Sequence, residues 1–466
     1  LFQKFIVETN SLAELDDPQE RWTLLLWVIR QKYPFWFRHL SPTITGPLVS
    51  QVDHVMRLTF QSIMGCSVTD ADWKQICLPV KQHGFGLGNV KNISIAAFTA
   101  NVIETKEHVM SVLPCTVDYL DSLDKETEFH VEGFHPKLVE ELLQPFVTNK
   151  RILTNAAPQQ DWSALLRNAE KKHLQHDFTK VLHSASLKDI ISSIKEPKQS
   201  ARFLSCAGSL SGAWLYNLPT SELFIMSPNT FRISCMLRLG KSIPHLPHFC
   251  KCRKAIDSEG YHLFTCPSFT SRLTARHDAL LKQLIQLANC ASVKTQDKNI
   301  TDFRQVNPND LRRTDLLFYG LGANSSKLYT DLSVGHPCGQ GNVGHACHTP
   351  GYTLQDINQR KRSKYEDSCA LLMADFCPLA FETFGKASKE VHHLLRVLTA
   401  KASDNLHVPY SALLSYWKRR LSTTLQIENV SHIMRSSALI LSKTDIHDNT
   451  FGINLDELEL ESVHVP

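Results

Sequence analysis

Asp315-Leu316-Leu317-Phe318-Tyr319 and Lys327-Leu328-Tyr329-Thr330-Asp331-Leu332-Ser333-Val334 decide how this chain is read. Both runs are apolar and aromatic, the second alternates in part with period two, and Gly320-Leu321-Gly322-Ala323-Asn324 lies between them. That pattern predicts a β-hairpin. Downstream, residues 335–352 read as a long Gly- and His-rich loop, Arg362 to Ala374 as a helix, Cys377 to Phe384 as a third, buried strand, and Ser388 to Ala400 as a further helix. Hairpin, helix, strand, helix is the order of an α/β core, which we assign to residues 300–402.

Pairing of the two strands brings Asp315 and Asp331 together. Two carboxylates in a dry site are costly unless they bind a cation, and Mg²⁺ or Mn²⁺ held by one or two carboxylates is the usual arrangement where phosphodiesters are cut. The basic run Arg360, Lys361, Arg362 and Lys364 stands nearby. Within it Lys364 is the expected source of positive charge for a transition state, and Glu382 in the third strand is a further catalytic carboxylate. The plainer readings are that Asp315 caps a turn and Asp331 pairs with an arginine.

Upstream, Cys250, Cys252, His262 and Cys266 form a C-x-C-x9-H-x3-C set. These ligand types at this spacing can close a tetrahedron around Zn²⁺, and four protein ligands leave no open position, so the expected zinc is structural. Leu263 and Phe264 would cover it. The remaining cysteines are scattered, the total of 13 is odd, and reduced thiols follow. A second concentration, His336, Cys338, His345, Cys347 and His348, reads as a flexible polar loop, because Gly-rich spacing offers nothing to hold a tetrahedron.

The chain of 466 residues is long enough for about three structural units. Helical periodicity covers 1–112 and 113–240, a zinc knuckle with a basic helix 241–290, and a helical extension with an acidic tail 403–466. The organisation is therefore α+β and multidomain. A net charge of +4 argues little alone, but basic residues gather at Lys251, Arg253, Arg272, Arg276 and, with them, His277, and again at Arg360 to Arg362. Both clusters are expected to meet a nucleic-acid backbone. No run approaches the ~18 apolar residues of a membrane span, so the reading is a soluble, intracellular chain without a membrane partner. It begins at Leu1 in what reads as mid-domain helix, as the C-terminal portion of something longer would.

The order of several short motifs is specific: Cys-Lys-Cys-Arg from Cys250, Gly260 to Cys266, Arg276-His277-Asp278, Arg313-Thr314-Asp315, Tyr329 to Pro337, Lys364-Tyr365, and Pro378 to Gly385. Together they resemble the C-terminal region of non-LTR retrotransposon reverse transcriptases that carry a restriction-like endonuclease. The likeness is good over 250–400 and patchy over 1–240, where Leu78-Pro79 and Gly84 to Gly88 look like the segment after the polymerase thumb. It implies a PD-(D/E)xK fold with Asp315 and Asp331 on the metal, Lys364 replacing the strand lysine from a helix, and Glu382 beside them. It also implies target DNA and element RNA as partners, a nuclear location and an upstream polymerase domain, since no Tyr/Phe-x-Asp-Asp polymerase motif occurs here. Thr314 stands where the family has proline and Ser333 where restriction enzymes have lysine. The alternative is therefore an inactive, domesticated nucleic-acid-binding remnant, and a third reading is a zinc-stabilised helical interaction protein.

Overall fold

The computed structural model describes residues 2–105, 108, 144–159, 161, 173–322 and 326–444, without the side chains of 270–272 and 443–444. The side chain of Arg272, the tip of the hairpin turn, much of the segment 113–172 and the acidic tail thus lie outside what is described. The fold is mixed α/β, mostly helical around one four-stranded sheet.

Strands β1 (Thr295–Gln296), β2 (Leu316–Tyr319), β3 (Lys327–Gly335) and β4 (Asp375–Glu382) lie in that order across the sheet. β2 and β3 pair antiparallel with Leu316 opposite Thr330, and the Asp315 amide donates to the Thr330 carbonyl at 3.0 Å. β3 and β4 pair parallel, with Asp331 opposite Pro378 and Gly335 opposite Glu382. A parallel pair needs a crossover, supplied by the helix Tyr352–Leu371. Pro378 is tolerated because β4 is an edge strand, where a missing N–H breaks no ladder bond.

The alternation along the strands sorts their side chains to two faces. Leu316, Phe318 and Leu332 pack with Leu280, Leu284 and Leu287 of the helix Thr270–Cys290 and with Val391, Leu394 and Leu398 of the helix Lys389–Leu406. Each such buried leucine contributes roughly 1.5–3 kcal/mol. Leu317 and Tyr329 point the other way, into a cluster with Phe303, Tyr365, Cys369 and Phe376. Asp315 and Asp331 share the parity of Leu317 and Tyr329, so they face the crossover helix.

Two details differ from the sequence reading. The crossover helix begins at Tyr352 rather than near Arg362, released by Gly351 at φ +79°. Its close seat requires glycine at 335, where a Cβ would stand 2.4 Å from Thr353 and 2.7 Å from Ile357 side-chain atoms. The loop before it is packed, not a flexible polar tether: His336, Cys338, Ala346 and Cys347 are buried against the segment around Cys250–Cys266. Small and weakly polar side chains can be buried as readily as solvated, and Gly-rich composition hid which.

The helix Tyr410–Thr444 is a strut through three cores. Leu413, Trp417, Leu421 and Leu425 enter the sheet core, Ile427 touches the N-terminal helical core, and Val430 and Ile433 lie under the Cys/His segment. In the N-terminal core Trp22, Phe60 and Phe85 meet edge to face at 5.5–6.0 Å. Beside it the buried Arg238 donates to the carbonyls of Val80, Gly84, Cys206 and Ser211, fixing the turn after Leu78.

Candidate metal centres

Cys250, Cys252, His262 and Cys266 present their sulfur and nitrogen atoms within 4.8 Å of one another. Cys250 Sγ lies 3.3 Å from Cys266 Sγ, and Cys252 Sγ lies 3.2 Å from His262 Nε2. Zn–S bonds of 2.3 Å imply ligand–ligand edges of ~3.8 Å in a tetrahedron, so small adjustments around an ion would complete the geometry. Local backbone builds the set. Arg253, at φ +64°, turns the chain so that its amide donates to the Cys250 carbonyl and the Cys250 amide to the Lys254 carbonyl. Gly260, at φ +72° and packed against Leu246 and Ile433, starts the short 3₁₀ turn Tyr261–Phe264, whose first amides donate to the Asp257 carboxylate. Leu263 and Phe264 are buried as expected, and the Leu263 carbonyl accepts from His432 of the long helix at 2.8 Å. Burial pushes the Cys250 thiol up to about 12, the mark of a sulfur held away from water. The donor set, three thiols and an imidazole, suits a metal such as zinc.

A second cluster, of carboxylates with basic partners, is assembled from four separate elements. The Asp315 carboxylate sits at the entry to β2, where its Oδ2 accepts from the Leu332 amide at 2.7 Å and meets His277 Nε2 at 3.0 Å. Asp331, at the centre of β3, keeps only 5% of its side chain exposed, and its Oδ1 accepts from Lys361 Nζ. Burial raises the Asp331 carboxyl, the adjacent Asp315 charge raises it further, and the Lys361 ammonium opposes both. Burial also acts to raise Asp315, but the hydrogen bond and charge of His277, with the hydrogen bonds from Asp331 and the Leu332 amide, together outweigh it and hold that carboxyl below its ordinary value. His277 itself is pushed up to about 9 by its hydrogen bond to Asp315, against the effect of burial and with help from Asp278 at 2.9 Å. The two carboxylates thus lie beside each other, Asp331 nearly dry and Asp315 with 28% of its side chain exposed.

Several residues expected at functional positions stand elsewhere. Lys364 is exposed, with its ammonium 4.7 Å from the Tyr365 ring centre, whereas it is Lys361, three residues earlier, that meets Asp331. Glu382 lies four residues along the ladder from the position opposite Asp331, ~13 Å at strand rise, and so stands apart from the carboxylate pair. It is fully buried, one oxygen has no hydrogen-bond partner, and burial raises it to about 7 despite Ser205 and Lys386 nearby. Arg276 is a core residue, donating to Asn429 Oδ1 at 2.8 Å with its guanidinium over Phe264 at 5.5 Å. Lys251 and Arg253 are exposed, whereas Arg360 pairs with Asp356 and Arg362 with Glu366 and Glu390. Arg276 is thus withdrawn from the basic surface that the sequence suggested.

Two residues gain roles that sequence reasoning gave them differently, Lys361 and His277. The signal for Lys361 was present: Leu354, Ile357, Lys361, Tyr365 and Ser368 recur at helical spacing, and all but Lys361 are buried, so this lysine lies on the inward stripe. Starting the helix at Arg362 concealed it. His277 follows Arg276 on a helix whose buried stripe continues at Leu280 and Leu284. No family model matches the chain, and no curated protein matches it.

Proposed function

We propose that this chain is a metal-dependent endonuclease module acting on DNA, with the Cys/His cluster as its structural zinc knuckle. The observation that carries the reading is the convergence of Asp315, Asp331 and Lys361 on one face of a sheet with hairpin, crossover helix, strand, helix order. A divalent cation held by the two carboxylates would supply Lewis acidity and an activated water for in-line attack on a phosphodiester. The protein's own groups do the rest. Lys361 holds an ammonium beside Asp331, placed to stabilise charge developing on a phosphate oxygen. His277 keeps a proton at the edge of the site and fixes the orientation of Asp315. The motif order described above extends the proposal: a retrotransposon endonuclease of the PD-(D/E)xK type, nuclear, whose nick leaves a 3′ hydroxyl that primes reverse transcription by a polymerase domain acting with element RNA.

One observation favours a second reading. Each carboxylate already has a cationic side-chain partner, His277 for Asp315 and Lys361 for Asp331, and such closed pairs suit a remnant that binds nucleic acid without cutting it. Incubation of the purified protein with supercoiled plasmid and with labelled single strands in Mg²⁺ or Mn²⁺ separates the two. The endonuclease reading expects nicks that Asp331→Asn abolishes while nucleic-acid binding persists. Binding without cleavage of any substrate by the zinc-loaded wild type gives the case to the second.

A further inference from the structure

Between the N-terminal helical core, the helix Lys389–Leu406 and the start of the helix Tyr410–Thr444 run two clefts, of about 1030 and 420 Å³, that share Ser209 and Lys418. They form one track. Its walls carry Arg30, Lys81, Lys389, Arg396, Lys418 and Arg419, and no acidic residue lines either cleft. None of these six cations is in an ion pair among the described residues, unlike Arg360, Lys361 and Arg362. Lys81 and Arg396 each lie close enough to repel Lys418, and burial together with that repulsion lowers the Lys418 ammonium; burial, Lys418 and Arg396 likewise lower the neighbouring His392 imidazole. Uncompensated like charges in a groove cost folding free energy, which an anionic occupant would recover.

Aromatic rings stand at the wider end. Trp27 is 49% exposed and Tyr410 40% exposed, although both are of the size that folding normally buries. Trp27 leans on Tyr216 at 5.8 Å between ring centres, which stiffens an otherwise free indole. At the narrow end Lys389 also lines a third cleft, walled by the helix that carries Lys361, where Glu366, Asp367 and Glu390 enter and the purely basic character stops.

We propose that this track seats a single strand of nucleic acid, its phosphates along the lysines and arginines and its bases on Trp27 and Tyr410. Phosphate-tracking cations interleaved with exposed rings are the pattern by which proteins hold single strands without reading sequence. A duplex would leave the rings idle. This proposal rests on the same nucleic-acid reading of the chain but uses different residues, none of them at the carboxylates or the knuckle.

The test is fluorescence anisotropy of a labelled dT20 strand and of the matching duplex, titrated with the full chain over a series of salt concentrations without Mg²⁺. For single strands each lost phosphate contact flattens the log-log salt slope by ~0.7, so Arg396→Ala with Lys418→Ala should flatten it by ~1.4. Trp27→Ala should weaken dT20 binding about tenfold and duplex binding little, the loss of one stacked base. Lys418→Arg should bind like the wild type, and unchanged circular dichroism guards against misfolding. Unaltered affinity and slope in the double and Trp27 variants would overturn the proposal. So would loss of binding to phosphatidylserine vesicles with dT20 binding intact, which would make the track a membrane surface. Loss of dT20 binding in these variants of a protein that never cleaves would uphold the track while sinking the endonuclease.

Discussion

Cys250, Cys252, His262 and Cys266 come from one stretch of chain, whereas His277, Asp315, Asp331 and Lys361 come from a helix, two strands and a second helix. The first site is closed by local turns, at Arg253 and Gly260, and needs the rest of the protein only as a platform. The second exists only once the sheet has its register and the crossover helix has docked on Gly335. Sites of the first kind cost little loop-closure entropy and tolerate distant change; sites of the second kind inherit every error in packing. The two are nevertheless joined, because the long C-terminal helix runs beneath both cores.

Removing a ligand from the local site should have the largest effect. Cys266→Ser is expected to lose one zinc per chain and to unfold the segment around it, since metal binding in small knuckles is largely their folding free energy, ~10 kcal/mol or more. Metal analysis with limited proteolysis checks this. If the difference in construction is real, the sheet should survive, and nicking activity, where present, should fall less than the knuckle's stability does.

The distant site is broken at its lysine. Lys361→Ala should lower turnover by about 10²-fold and destabilise the fold, because Asp331 is left buried without its partner. Lys364→Ala, three residues on and exposed, should change turnover less than twofold. Plasmid nicking under single-turnover conditions distinguishes them. The reverse ranking would put Lys364 rather than Lys361 at the functional carboxylate.

His277 makes the distant site sensitive to pH on the alkaline side. Its folded value of about 9 exceeds that of a free histidine, so its pair with Asp315 stabilises fully below about pH 6.5 and is lost as pH rises through about 9. Asp315 is held below its ordinary value, so its contribution is present above the free-carboxylate range and is lost as pH falls through the lower folded value. The pair should therefore give a plateau near neutral pH, with at most about 3 kcal/mol at stake on the alkaline side. Urea unfolding at pH 6 and pH 10 should show that loss in the wild type and much less of it in His277→Gln.

Glu382 offers the smallest effect and a sign reversal. Its raised value, about 7, means that the folded state disfavours the charged form, so stability declines as pH climbs from the free-glutamate range through about 7. Glu382→Gln should leave nicking untouched and raise stability at pH 8 by ~1–3 kcal/mol, readable as a higher urea midpoint. A loss of nicking instead would return this residue to the carboxylate site.

What could be read from the amino-acid sequence was whatever depends on neighbours along the chain. The spacing of Cys250, Cys252, His262 and Cys266, the period-two runs around Asp315 and Asp331, and the apolar stripe Val391, Leu394 and Leu398 each state their own local outcome, because turn, strand and helix geometry fix side-chain direction within a few residues. What only the tertiary structure decided was which of several similar residues meets a partner from elsewhere. Lys361 rather than Lys364 reaches Asp331, His277 meets Asp315 while its neighbour Arg276 disappears into the core, and Glu382 sits too far along the ladder. Trp27, Lys81, Arg396 and Lys418, hundreds of residues apart at the extremes, line one track. A charge is written identically in sequence whether it faces water, a carboxylate or a ring, and only the docking of helices on the sheet assigns it.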